Sequence, residues 1–194
     1  MESFRIDGSS ARDYAIHVDE LHDITPEVVQ TLLEIDLQTF AESTYSSFTA
    51  AAFLKMGRVF ALRAEEVTIG VCVCFRSWER PNEVMLLSMG IRPGWRGRGL
   101  GQRFVTGVLD RLRARGIRSV VLMVGKDNRR AIKVYADVGF QQVGERVVEP
   151  ESGETLLTMR AVLTEDAHLI PIETYTKGQT SSVDGSGSSS SFDK

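Results

Sequence analysis

Three alternating glycines stand in a short basic segment between two apolar stretches of the chain. The segment, residues 91–101, reads Ile-Arg-Pro-Gly-Trp-Arg-Gly-Arg-Gly-Leu-Gly. Glycine lets a backbone turn tightly and come close to a ligand without a clash from a side chain. A helix that begins at the end of such a loop directs its free amide groups and the positive end of its dipole at phosphate oxygens. Arg96 and Arg98 would add positive charge there, so the segment predicts a site for a diphosphate.

The glycine spacing excludes two common nucleotide-binding motifs. In the dinucleotide pattern G-x-G-x-x-G the third glycine follows the second by three residues, whereas Gly101 follows Gly99 by two. The P-loop is excluded because the chain contains no Gly-Lys-Ser or Gly-Lys-Thr. Arg96-x-x-Gly99-x-Gly101 remains. Taken alone, this loop could also be a tight strand-to-helix turn with exposed arginines.

A second segment with readable spacing follows about 30 residues later. Asn128, Ala131 and Tyr135 are separated by three and four residues, so they share one face of a helix. Asn128 stands where that helix would begin, directly after a predicted strand, and Gly139 closes it. The pattern therefore places one polar, one small and one phenolic side chain on a common surface.

Together the two segments resemble the GCN5-related N-acetyltransferase (GNAT) superfamily. Residues 96–101 resemble its loop for the pyrophosphate of acetyl-CoA, and residues 128–140 resemble its second cofactor segment. The pattern of helices and strands predicted from about residue 14 to residue 162 is compatible with this superfamily. The resemblance implies an α/β (α+β) fold with a mixed, mostly antiparallel sheet of about six or seven strands, a splayed parallel pair and about four helices. It also implies acetyl transfer from acetyl-CoA to a primary amine, with no metal.

The resemblance also implies roles for individual residues. The strand before the loop and the strand after the next helix would diverge, with the pantetheine arm of the coenzyme between them. Tyr135 corresponds to the acid that protonates the departing thiolate, although a tyrosine packed on a helix face with a hydrogen-bonded hydroxyl is the alternative. Asn128 would contact the coenzyme, cap the helix or do both. The expected coenzyme contacts are Met89, Gly90, Ile91, Arg96, Gly97, Arg98, Gly99, Leu100, Gly101, Gln102, Asn128, Ala131 and Tyr135.

Glu83 is the leading candidate for the base that deprotonates the amine. Glu83 is separated from Met85, Leu87 and Met89 by even numbers of residues along its predicted strand. These four side chains are therefore expected to lie on the same face. In the superfamily a glutamate often stands nearer the loop, at positions that match Met85 or Leu87, and both are apolar here. The alternatives are an exposed glutamate after a turn and a water chain without a dedicated base. The lesser candidates are Glu79, His22 and Ser88.

Strand and helix patterns alternate through the chain and supply the elements that must position these residues. Apolar spacing and end signals predict helices at 25–40, 99–115 and 128–138. In the first of these helices the apolar positions that follow helical spacing are Val29, Leu32, Leu33, Leu37 and Phe40. Branched and apolar runs predict strands at 58–63, 67–75, 83–91 and 118–124, followed by a hairpin of 141–148 and 155–162.

Composition predicts one globular domain, residues 1–176, and a flexible Ser/Gly-rich tail, residues 177–194. The chain has 194 residues, of which 42% are hydrophobic, and no apolar run approaches the 18 residues of a membrane span. The N-terminus lacks the pattern of a signal peptide. Cys72 and Cys74 are expected to be reduced, packed strand residues, which indicates a cytoplasmic protein.

Charge is distributed unevenly along the chain. Residues 91–133 carry a net +10 within a chain of net −3, whereas residues 1–90 carry a net −7. The acidic part favours a cationic acceptor, such as a polyamine, an aminoglycoside-like compound or a peptide amine, although an acidic surface also serves solubility. A catalytically inactive acyl-CoA sensor of the same fold is the alternative function. Nucleic acid is disfavoured by the acidic pI of about 5.7. We expect a monomer or a homodimer.

Overall fold

The structure, a computed structural model, describes residues 3–4, 14–40, 45–144, 146–150 and 152–163. Within these ranges nine strands form one mixed sheet in the order β1-β2-β3-β4-β5-β6-β9-β7, and β8 also pairs with β9. The strands are β1 (Ser3–Phe4), β2 (Tyr14–Leu21), β3 (Arg58–Ala64), β4 (Val67–Arg76), β5 (Glu83–Ile91), β6 (Ser119–Gly125), β7 (Gln141–Gln142), β8 (Val147–Val148) and β9 (Thr155–Val162). The helices are α1 (Pro26–Phe40), α2 (Ser47–Met56), α3 (Leu100–Arg113) and α4 (Arg129–Asp137). The predicted tail and the predicted end of the domain lie outside the described residues.

Helices cover both faces of the sheet and divide the core in two. On one face α3 and α4 pack against the sheet, and Phe104 of α3 is completely buried there. On the other face α1 and α2 form a second cluster in which Leu32 and Ala50 are completely buried against β4. The central strands are therefore apolar on both faces, which explains the nearly continuous hydrophobic run of β4.

The buried side of α1 differs from the prediction. Leu32 is fully buried as expected, but Leu37 and Phe40 are 50% and 46% exposed. Ile35 and Asp36 take the buried positions instead. A carboxylate therefore occupies an inward position that the apolar pattern did not indicate, and two apolar side chains stay exposed near the end of the helix.

The parallel pair of β5 and β6 is short and then diverges, as predicted. Within the described residues these strands form the only parallel pairing, which ends where Leu86 meets Leu122. Leu87 is the extra residue of a β-bulge, because β4 pairs with the residues on either side of it. A bulge bends its strand and increases the local twist, so β5 turns away from β6 at this point. A gap remains between residues 88–91 of β5 and residues 123–125 of β6.

The bulge also reverses the alternation of side chains along β5. The prediction that Glu83, Met85, Leu87 and Met89 face one side is therefore wrong. Met89 packs with the α3 and α4 core, whereas Gly90 faces α1. Simple parity counts fail across a bulge because one residue is added without a partner.

The other predicted helices and strands are confirmed, apart from the predicted strand at residues 141–148. Residues 141–148 form two short strands, β7 and β8, rather than one. Gly144 lies between them with a positive φ of 67°, which a continuous strand does not allow. The β8–β9 hairpin forms as expected. The sequence analysis did not predict β2 or α2, although Ser46 caps α2 by accepting a hydrogen bond from the amide of Thr49.

Candidate functional site

The glycine loop has the backbone geometry that the sequence predicts. A 3-10 turn at Pro93–Trp95 is followed by Gly97 with φ 80° and Gly99 with φ 72°. Nothing lies within 4 Å of a Cβ added at either glycine, so it is the left-handed backbone, not crowding, that requires glycine here. Gly99 caps α3 without a side chain, and the first amides of a helix have no acceptors within the helix. These amides and the helix dipole fit a diphosphate.

The Arg96 side chain is hydrogen-bonded to backbone carbonyl oxygens of β5 and α1, whereas the sequence predicts that it adds charge at the diphosphate. Its Nε donates to the carbonyl oxygen of Ile91 at 2.7 Å, and its Nη2 donates to the carbonyl oxygen of Gln38 at 2.9 Å. Arg96 thus ties the loop to β5 and α1. Arg98 lies over the ring of Trp95, 5.6 Å from its centroid, and is exposed, and its contact with a diphosphate stays a prediction.

The other expected loop contacts can act only through the backbone or through packing. The Leu100 side chain is buried in the core. At Gly101 α3 lies next to α4, and a Cβ added there would make an ordinary contact of 3.6 Å with the methyl groups of Val134, so the packing does not require glycine. The amide nitrogen of Gln102 donates to the carboxylate of Asp137 on α4. These side chains hold α3 against α4, and their backbone amides form the start of α3.

The gap between β5 and β6 fits an extended arm that begins at the glycine loop. Residues 88–91 of β5 pair with β4 on one side and have no strand on the other within the described residues. Met89 and Ile91 direct their side chains into the core, so their backbones border the gap. Gly90 is required because α1 lies against it: an added Cβ would lie 3.2 Å from a methyl group of Ile35 and closer still to the Thr39 hydroxyl.

Asn128 caps α4. Its Oδ1 accepts a hydrogen bond of 3.1 Å from the amide of Ala131, so the capping interpretation is confirmed. A coenzyme contact through the amide nitrogen of Asn128 stays a prediction. Ala131 packs partly buried against the core.

Tyr135 lies in the core on the α3 and α4 side of the sheet, near Cys72 and Cys74 of β4. It is 7% exposed, and its ring packs 5.6 Å from that of Phe140. Burial raises the pKa of Tyr135 above its ordinary value, and the neighbouring thiols of Cys72 and Cys74 raise it further. Its hydroxyl makes no hydrogen bond within the described part of the chain, contrary to the packed, hydrogen-bonded alternative. The phenol therefore stays protonated and is free to donate.

Glu83 is held by ion pairs away from the gap. One carboxylate oxygen lies 3.2 Å from Nη2 of Arg160 and accepts a hydrogen bond of 3.0 Å from Ser119; the other lies 3.7 Å from Nη1 of Arg80. Glu83 precedes the bulge at Leu87 by four residues, or about 13 Å along an extended strand. The arrangement favours a structural role for Glu83 over that of a base.

The lesser base candidates lie in different places. His22 lines a cavity of about 430 Å³ together with Asp19 and Arg115, on the β2 side of the sheet. Glu79 lies in the exposed β4–β5 turn. Among them only Ser88 borders the gap.

A buried polar group beside Ser88 was missed from sequence. Asp36 is 2% exposed, and its charge raises the pKa of Tyr45 in addition to the larger effect of burial. The Ser88 side chain interacts with the same phenol and lowers its pKa. The sequence does contain a signal for the burial of Asp36. This residue follows Leu32 by four positions and therefore falls within the apolar stripe of α1.

No helix in the described residues has the length and apolarity needed to cross a membrane. The same residues contain no cluster of three or more His, Cys, Asp or Glu side chains that could hold a metal ion.

Solved structures with a similar fold are acetyltransferases. The ribosomal-protein-S18-alanine N-acetyltransferase of Escherichia coli aligns with a TM-score of 0.65 at 17% identity, covering 84% of this chain and all of that one. A Bacillus subtilis acetyltransferase solved in complex with CoA aligns with a TM-score of 0.60 at 14% identity, covering 77% of this chain and all of that one. At these identities the likeness establishes the fold.

Curated relatives match by sequence over shorter segments. The N-alpha-acetyltransferase RimI of Mycobacterium tuberculosis is 40% identical over 81 residues, which are 41% of this chain and 49% of that protein. A mycothiol acetyltransferase of Nocardioides is 48% identical over 52 residues, 27% of this chain and 18% of that protein. The chain thus spans about half or less of the length of these relatives. The family model described as "Acetyltransferase (GNAT) family" matches residues 25–140, from the start of α1 to the end of the α4 segment, and the chain belongs to that family.

Proposed function

We propose that the protein is an N-acetyltransferase that transfers the acetyl group of acetyl-CoA directly to a primary amine. One observation carries the proposal: β5 separates from β6 at Leu87 and leads at its end into the glycine-capped start of α3. A single groove thereby joins a phosphate-binding helix start to a gap with strand edges. A nucleotide diphosphate with a long amide-containing arm has that shape and those hydrogen-bonding groups.

The arrangement supports a role for each part of the site. The amides near Gly99 hold the diphosphate, and the edge of residues 88–91 holds the pantetheine arm by backbone hydrogen bonds. The thioester then lies near Leu87, next to Tyr135. When the neutral amine nitrogen bonds to the thioester carbonyl carbon, the carbon–sulfur bond breaks, and the phenol of Tyr135 gives its proton to the thiolate. The proton that the nitrogen loses passes to water, and water returns one proton to the Tyr135 phenolate. Glu83 is not used in this scheme.

The basic middle of the chain supports an enzyme rather than a nucleic-acid binder. Several of its arginines pair with acids from elsewhere in the structure. Arg92 lies 3.1 Å from Glu34, Arg111 lies 3.9 Å from Asp19, and Arg115 pairs with the buried carboxylate of Glu20. These ion pairs compensate part of the charge asymmetry of the sequence within the fold. We propose that the protein acts in the cytoplasm with both thiols reduced.

The proposed function is tested by incubating the protein with acetyl-CoA and a panel of primary amines while the free thiol of CoA is measured. Release that depends on the amine, together with a mass increase of one acetyl group on the amine, supports the enzyme. Tight binding of acetyl-CoA without release from any amine supports the inactive sensor instead. Failure to bind acetyl-CoA contradicts both.

A further inference from the structure

The gap is open to an acceptor from one face only. On the other face Val124 of β6 and Leu122 beside it are buried against α3, and Tyr135 lies there as well. On the open face Met123 is 45% exposed, since α1 makes its main contacts with β4 and β5 rather than with β6. An acceptor amine must therefore approach over the surface that carries Met123.

A carboxylate borders this open face. Gly125 follows Met123 by two residues on β6 and so faces the same side. A Cβ added at Gly125 would lie 2.9 Å from Cδ of Glu154 and closer still to its Oε1. The Glu154 carboxylate thus lies directly on the α-carbon of Gly125, and a side chain at position 125 would displace it.

The position of Glu154 is fixed by its turn. Its amide donates to the Ser152 hydroxyl at 3.1 Å, and its carbonyl oxygen accepts from the amide of Glu149 at 2.9 Å. The side chain has no ion pair within the described residues. On the same face, by contrast, Glu83 is bound to Arg160. Asp36 lies buried beneath α1. Among these described carboxylates, Glu154 is therefore the one that an approaching ammonium group can meet at the mouth of the gap.

We propose that Glu154 is an acceptor-positioning residue that binds the ammonium group of the amine substrate, which rests on the N-acetyltransferase function proposed above. The interaction is a charge-assisted hydrogen bond and forms no covalent bond. Because alkyl amines and α-amino groups are largely protonated at neutral pH, the carboxylate binds acceptors of this class at the open face. Gly125 supports the role by leaving the space that the carboxylate needs.

The test compares amine binding and turnover in the wild type, Glu154→Gln and a matched control, Glu149→Gln, which changes a second glutamate of the same turn. A peptide amide with a free α-amino group, the same peptide with an acetylated N-terminus, and spermidine are titrated calorimetrically into the CoA-bound protein. We expect Glu154→Gln to weaken binding of the two free amines and raise their KM about tenfold, with the affinity for CoA unchanged. The acetylated peptide and the Glu149→Gln protein should show no such change.

A second variant, Gly125→Ala, tests the same role of Glu154 in case Glu154→Gln does not fold. Gly125→Ala leaves the glutamate in place but displaces its carboxylate, so it should raise the same KM. Equal amine affinity in wild type and Glu154→Gln, or no amine binding to the wild type, overturns the role of Glu154. Binding of amines that depends on Glu154 without any CoA release contradicts the proposed function and leaves the amine site standing.

Discussion

The guanidinium of Arg96 donates a hydrogen bond of 2.7 Å to the carbonyl oxygen of Ile91, the last residue of β5. Its Nη2 reaches the carbonyl oxygen of Gln38 and the hydroxyl of Thr39 in the last turn of α1. The final carbonyls of a helix have no partners within the helix, so this arginine satisfies one of them. One side chain therefore sets the distance between the strand end, the loop and α1.

Replacing Arg96 by alanine should weaken acetyl-CoA binding indirectly. The loop loses its ties to Ile91 and Gln38, and the amides near Gly99 are then no longer held in one arrangement. We expect the Kd for acetyl-CoA to rise about tenfold and the melting temperature to fall by several degrees, since the lost hydrogen bonds involve a charged group. Calorimetric titration and thermal unfolding measure the two effects.

Arg98→Ala is the matched control within the same loop. Its guanidinium rests on the exposed face of Trp95, so its loss should leave the melting temperature nearly unchanged. Any loss of coenzyme affinity should then shrink as salt is raised, because it reflects charge alone. An equal fall of melting temperature in both variants would contradict the positioning role of Arg96.

A glutamate at position 99 should abolish coenzyme binding, whereas a glutamate at position 94 should not. Gly99 has a left-handed backbone and caps α3 at the diphosphate position, so Gly99→Glu adds both strain and a repelling charge. Gly94 belongs to the same loop but has no positive φ and open space around its Cβ position. Binding of acetyl-CoA to each variant is measured by calorimetry. Retained affinity in Gly99→Glu would remove the assignment of this loop to the diphosphate.

Tyr135→Phe should lower kcat while leaving the Kd of acetyl-CoA within about twofold of the wild type. The hydroxyl makes no hydrogen bond within the described residues, so its removal costs little stability. Burial raises the pKa of Tyr135, so the phenol stays protonated throughout the neutral range and beyond its ordinary value near 10. The rate of the wild type should therefore show no loss of this acid below about pH 10. An unchanged kcat in the variant would exclude Tyr135 as the sole acid.

The unfolding free energy should fall as pH rises above 9. Burial raises the pKa of Cys72 well above its ordinary value of 9.0, and the thiol of Cys74, 3.8 Å away, raises it further. Above pH 9 the unfolded chain therefore loses a proton that the folded chain keeps, which favours unfolding by up to about 1.4 kcal/mol per pH unit. Urea denaturation between pH 8 and pH 10 measures the slope. Cys72→Ala should show a shallower slope over this interval, whatever its stability at neutral pH.

The parts of the site that depend on local sequence could be predicted. Gly99 with the helix that follows it, and the cap at Asn128, each follow from residues within one or two turns of one another. Local hydrogen bonds and helical periodicity decide them, so the chain need only be read over a short window.

The parts of the site that depend on contacts between distant elements could not be predicted from the sequence. The bulge at Leu87 is defined by the register of β5 against β4, and its effect on Met89 follows from that register alone. The partner of Arg96 on α1 lies 58 residues away in sequence. The space that Gly125 leaves for Glu154 likewise appears only when β6 and the β8–β9 turn are adjacent. Residue types identified these positions as polar or small, but not what they touch.

The structure predicts that Glu83→Gln lowers stability more than activity. Glu83 is 9% exposed and neutralises Arg160, whose side chain is also largely buried. Removing one partner of a buried ion pair leaves the other charge uncompensated, so the unfolding free energy should fall by about 3 kcal/mol. Because Glu83 lies well before the gap on its strand, kcat and both KM values should stay within about twofold at a temperature where the variant is folded. The double variant Glu83→Gln/Arg160→Met should lose less unfolding free energy than Glu83→Gln alone, because it leaves no unpaired charge at position 160. If kcat falls strongly while the fold stays intact, Glu83 is again the leading candidate for the base that deprotonates the amine.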